Sequence, residues 1–145
     1  MSKTKKYIGL LLVYSLSVVT AVGQAVIQVP QNAATISAAI QMVQSGDTIL
    51  LSPGVYNDSV HVINKQIIVK GSPGGSSVLS PGLNERSFVL EHSDVVFLDL
   101  TFDDLQCDTQ PPNIGVSSYR SDIVIDNCRF IGIHSPVSVF WAKWK

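Results

Sequence analysis

Charge is what this chain has least of. Asp, Glu, Lys and Arg make up 14% of its 145 residues, ten basic against eleven acidic. Three of the bases, Lys3, Lys5 and Lys6, sit together at the start; without them the chain carries a formal charge near −4. That balance lacks the basic footprint a nucleic-acid partner requires. Cysteine is almost absent. Cys107 and Cys128 are the two present, and neither has a second Cys or a His at ligand spacing, which disfavours a metal site built on them. Long apolar runs are missing as well: Tyr7 to Val22 falls short of the roughly 20 apolar residues a spanning helix needs and contains Ser15, Ser17 and Thr20.

That run fits a secretory signal instead. A basic start, an apolar stretch and small residues at Ala21, Gly23 and Ala25 predict cleavage after Gly23 or Ala25, with a membrane anchor as the competing interpretation. The expected organisation is a leader over 1–25 and a secreted domain over 26–145, extracellular, periplasmic or on the cell surface, with no membrane association after cleavage. Export would permit a Cys107–Cys128 disulfide. Cys128, however, falls in register with Leu100, where a thiol packs as a small hydrophobe, so two free thiols are favoured.

What the sequence does have is a register. Gln66 to Gly71 lies over Asp94 to Asp99, and that over Asp122 to Asn127, at a constant offset of 28 residues. The match extends to Leu100 with Cys128, Phe102 with Phe130, and Val60 to Val62 with Phe88 to Leu90. Apolar columns at a fixed period mean stacked, near-identical units. Strand alternation puts Ile67, Val95 and Ile123 in one inward ladder and Val69, Phe97 and Ile125 in the next. Asp99 and Asn127 then fall at a bend, where stacked Asx side chains bond turn backbone.

Ahead of the repeats, Val26 to Val29 forms a short strand ended by Pro30. Ile36, Ala39, Ile40 and Val43 make one apolar stripe on a short helix, which Asn32 or Thr35 can cap and Gly46 can terminate. From Asp47 onward short β-branched runs alternate with Gly, Pro, Ser and Asn: Thr48 to Leu51, Val60 to Val62, Ile67 to Val69. Hairpin folds do not repeat columns in parallel register. The pattern therefore predicts an all-β fold, a right-handed parallel β-helix (solenoid) with a short N-terminal capping helix. About four coils and a front cap without a back counterpart lead to the further expectation that this is the N-terminal part of a longer solenoid.

The run Thr35 to Ile40, then Ser45 to Tyr56 through Leu50-Leu51-Ser52-Pro53-Gly54-Val55-Tyr56, then Val60, Val62 and Ile67 to Gly71, resembles the opening coils of the pectin-lyase-like right-handed β-helix superfamily. Pectinesterases and the carbohydrate-binding and sugar-hydrolase β-helix proteins are the nearest in kind. Asp122 to Phe130 resembles a generic later coil of the same group. The resemblance implies a secreted protein that binds or processes an acidic, pectin-like polysaccharide, with a polysaccharide lyase, esterase or hydrolase as the possible parent activity. The pectinesterase catalytic motifs are not found in this chain, so no catalytic residue carries over, and the chain alone is expected to be inactive. A non-enzymatic adhesion or spacer module is the alternative.

Candidate sites are few. Asp99, Asp103, Asp104 and Asp108 form an acidic group suited in principle to Ca2+, a cation that takes six to eight oxygens; a corner role for Asp99 and a solvated loop for the rest is the plainer account. Arg86, Arg120 and Arg129 offer planar donors for sugar carboxylates. From these sets Asp103, Asp104 and Arg129 are the substrate-binding candidates. His61, His92 and His134 are isolated and read as surface residues. Phe140, Trp141 and Trp144 could stack on sugar rings, or begin a further coil.

Overall fold

The computed structural model describes residues 23–82, 85–103, 114–133 and 135–140. Within them the chain is mostly β, with one helix and three parallel sheets. Strand β1 (Val26–Val29) leads into α1 (Ile36–Met42). Twelve strands follow: β2 (Thr48–Leu51), β3 (Gly54–Tyr56), β4 (Val60–Ile63), β5 (Gln66–Lys70), β6 (Ser77–Leu79), β7 (Arg86–Glu91), β8 (Asp94–Leu98), β9 (Leu100–Asp103), β10 (Ile114–Tyr119), β11 (Asp122–Asp126), β12 (Arg129–Ile131) and β13 (Ser135–Phe140).

The first sheet has the order β1-β2-β5-β8-β11, the second β3-β6-β9-β12 and the third β4-β7-β10-β13. The chain therefore visits the three sheets in turn four times, each visit stacking parallel on the one before. Inward columns make the core. Ile49, Val69 and Phe97 stack in the first sheet, Leu79 and Phe102 in the second, and Val60, Phe88 and Val116 in the third. Phe97 meets Phe88 edge-on at 4.9 Å between ring centroids and Phe102 at 5.8 Å, so aromatic rings tie all three sheets together.

The 28-residue register holds where it was read: Gln66 pairs with Asp94, Asp94 with Asp122, and Val60 with Phe88. It is not the length of a basic coil. Thr48 pairs with Ile68, Ser77 with Leu100 and Ile114 with Ser135, offsets of 20, 23 and 21 residues. The second coil is lengthened at residues 71–76 and 80–85, the third at 104–113. Two longer coils of equal total length, lengthened at different corners, imitate a fixed repeat. Strand pairing is intact across these unequal spacings, because chain length added between paired strands costs little in closure entropy.

The helix caps the front of the core. Thr35 is its N-cap, its Oγ1 accepting from Ala38 N at 3.1 Å, and Ile36, Ala39 and Ile40 are buried beneath it. Two charged side chains of the first coil hold its ends. Asp58 Oδ2 accepts from Ile36 N at 2.6 Å and Ser37 N at 3.4 Å, while Lys65 Nζ donates to Ile40 O at 2.5 Å and Val43 O at 2.7 Å. An anion at the N-terminus and a cation at the C-terminus each complement the unsatisfied groups there. Asp47 ties the turn that follows: its carboxylate accepts from Ala25 N and Gln44 N, both at 2.8 Å.

Candidate functional site

The acidic and basic candidates of the sequence meet on the outside of the second sheet. In β9, Leu100 and Phe102 point into the core, so Thr101 and Asp103 point out. In β12, Phe130 turns inward and stacks on Phe102 at 4.7 Å, nearly parallel, which leaves Arg129 and Ile131 outward. The register pairs Thr101 with Arg129 and Asp103 with Ile131. Asp103 and Arg129 are thus diagonal neighbours on one face of adjacent parallel strands. Asp104 and Asp108 lie outside the described residues.

A chain segment partly roofs that face. Residues 71–76 fold over it, and Thr101, 4% exposed, donates from Oγ1 to Gly75 O at 2.8 Å. Gly75 has φ +69, and a Cβ there would come within 2.8 Å of Thr101 Oγ1, so glycine alone allows this approach. The outward column runs Val55, Val78, Thr101, Arg129. It presents exposed apolar surface at one end and a guanidinium at the other.

Asp99 serves as a corner residue. With Asn127 it takes a left-handed conformation, φ 56° and 51°, between the first and second sheets, and Asn127 Nδ2 donates to Asp99 Oδ1 at 2.5 Å. Cys128 follows directly, half-buried and free, with its thiol directed at Asp126 O and Phe97 O. Burial pushes this thiol up from its ordinary value, and the neighbouring carboxylates of Asp99 and Asp126 add to the rise. Cys107 lies outside the described residues. Among those described, no group of three or more His, Cys, Asp or Glu side chains is arranged to hold a metal ion.

The remaining arginines and histidines separate. Arg86 starts β7, exposed, and His61 faces out from β4. His92 and Arg120 come together at the corner that leads from the third sheet to the first. His92 meets the Tyr119 ring edge-on at 5.7 Å, and the Arg120 guanidinium carbon lies 5.1 Å from the centroid of the same ring. Reading the side chains as isolated surface residues hid this grouping, although the 28-residue spacing of His92 and Arg120 was visible in the sequence. His134, Trp141 and Trp144 lie outside the described residues.

The strongest carboxyl perturbation belongs to Asp47, which is structural. Backbone N–H groups of Gln44 and Ala25 hold its pKa below the usual carboxylate range against the opposing effect of burial, and Lys65 helps. Tyr56 is pushed up by burial, its hydroxyl donating to Ser52 O at 2.8 Å. Neither stands beside a nucleophile, and the charged neighbour of Asp47, Lys65, is itself bound to the end of the helix.

Comparison of the chain with family models, with curated proteins and with solved structures gives no match. No helix among the described residues is long and apolar enough to cross a membrane.

Proposed function

We propose that this chain is a secreted right-handed parallel β-helix of the pectin-lyase-like kind whose outer flank binds an acidic polysaccharide. The observation that carries the proposal is the stacking itself. Each outward position recurs at the strand spacing of about 4.8 Å, so outward side chains form straight columns along the axis, Gln66, Asp94 and Asp122 on the first sheet and Val55, Val78, Thr101 and Arg129 on the second, a surface with the period of a linear, repeating ligand. The right hand follows from the general preference of parallel crossover connections. Asp103 and Arg129 on one outer face supply an acceptor for sugar hydroxyls and a planar donor for a uronate carboxylate. The proposed function is binding.

The test is a glycan array and a titration calorimetry series with polygalacturonate, alginate and a neutral β-glucan. Binding to the uronate polymers at micromolar concentration is expected, with loss on Arg129→Gln. A chain that binds none of them would instead be a spacer or adhesion module.

A further inference from the structure

Three successive coils turn from the third sheet to the first through a single left-handed residue, and none of the three is glycine. Asn64 has φ 54°, His92 50° and Arg120 49°. The residues are aligned: Asn64 N donates to Glu91 O at 3.0 Å and His92 N to Tyr119 O at 3.1 Å, so the corner continues the parallel ladder. After His92 and Arg120 a serine ties each corner to the one before it, Ser93 Oγ accepting from Lys65 N at 3.2 Å and Ser121 Oγ from Ser93 N at 2.9 Å. The corner is therefore rigid, and its three side chains are carried outward, all exposed, one above another.

Asparagine and histidine enter this conformation with modest cost, but arginine seldom does. Glycine would form the same corner without strain. What Arg120 contributes is its side chain, which lies over Tyr119, itself 38% exposed. Beside Tyr119 in the same outward column is Glu91, half-buried, followed by Ile63. One patch thus holds an aromatic ring for the C–H face of a pyranose, an amide and an imidazole for hydroxyls, a carboxylate acceptor and a guanidinium.

We infer that the corner formed by Asn64, His92 and Arg120, with Tyr119 and Glu91, is a sugar subsite in which Arg120 recognises the carboxylate of a uronic acid; this rests on the polysaccharide-binding function proposed above. The site is separate from the Asp103 and Arg129 face, which belongs to the second sheet. The planar donor fork of arginine suits a carboxylate, and Tyr119 holds that fork in place by cation–π contact.

The experiment titrates the full chain and two variants with an oligogalacturonate and with its methyl ester, which keeps the ring and removes the charge. Arg120→Gly suits the corner backbone and is expected to melt no lower than the parent, so its binding data are interpretable. It is expected to lose about tenfold affinity for the acid and little for the ester, and Tyr119→Ala to lose affinity for both. Arg120→Gly binding the acid as the parent does, or losing acid and ester equally, would overturn the subsite. A parent chain that binds neither oligomer would overturn the polysaccharide function itself, and the subsite with it.

Discussion

Single residues in this protein show which polar groups the fold satisfies and which it leaves alone. Ser93 and Ser121 are buried, yet each is bonded within its corner, Ser93 Oγ donating to Glu91 O at 2.9 Å and Ser121 Oγ to Tyr119 O at 3.0 Å. Ser87 differs: it is 1% exposed and its Oγ has no partner among the described residues. A buried hydroxyl without a hydrogen bond costs free energy. Ser87→Ala is accordingly expected to raise stability by up to about 1 kcal/mol, read as a shift of the urea midpoint; a fall of that size would reveal a partner. Asp47 couples stability to pH. Its pKa is lowered in the fold, so its contribution is complete above the unfolded value near 4 and is lost as pH falls through the folded one. The stability difference between the parent and Asp47→Asn should therefore be widest at neutral pH and shrink below about pH 4, as followed by denaturant titration at several pH values. A difference that grew on acidification would contradict that assignment.

At the scale of elements, a seven-residue helix is too short to persist on its own. It is held by its apolar stripe, by Thr35, and by Asp58 and Lys65 reaching from the first coil. Lys65→Met removes the charge from under Ile40 O and Val43 O while keeping the aliphatic stem. The expected loss is about 1.5 to 3 kcal/mol, the usual range for hydrogen bonds to a charged group, with faster amide exchange in α1 than in β5 or β8. Equal protection of helix and strands in the variant would show that the stripe alone suffices. The stripe and the Thr35 cap were legible in the sequence, since a 3.6-residue period and Thr before it are local signals; the stop was not, because the helix ends at Val43 in an extended conformation, three residues ahead of the expected Gly46. Lys65 and Asp58 were not. Both lie more than 20 residues from the groups they bond, and only the return of the chain round one coil brings them there.

Across the whole molecule, burial falls away along a single column. Val69 and Phe97 are wholly buried, while Ile125, next in register, is 36% exposed. Phe97→Ala should cost about 3 to 5 kcal/mol and Ile125→Ala roughly half the usual loss for a core isoleucine, measured by thermal or chemical unfolding of the two variants. Similar losses would mean that the last coil is as well covered as the middle one. The same contrast marks what each level decided. Parallel register and the inward columns of the first and third sheets were determined by the sequence, because a two-residue alternation repeated in step leaves one way to bury the apolar face; the three-residue strands β3 and β6 are too short to show that alternation and were not. The 28-residue spacing seemed to set the coil length as well, but it is a coincidence of connections lengthened at residues 71–76, 80–85 and 104–113. Loops carry no periodic signal, so their placement was decided only when the sheets closed. Tertiary structure alone brought Asp103 and Arg129 onto one outer face and gathered Asn64, His92, Arg120 and Tyr119 at one corner. Side chains 28 residues apart become neighbours only when a coil separates them by one strand spacing, about 4.8 Å.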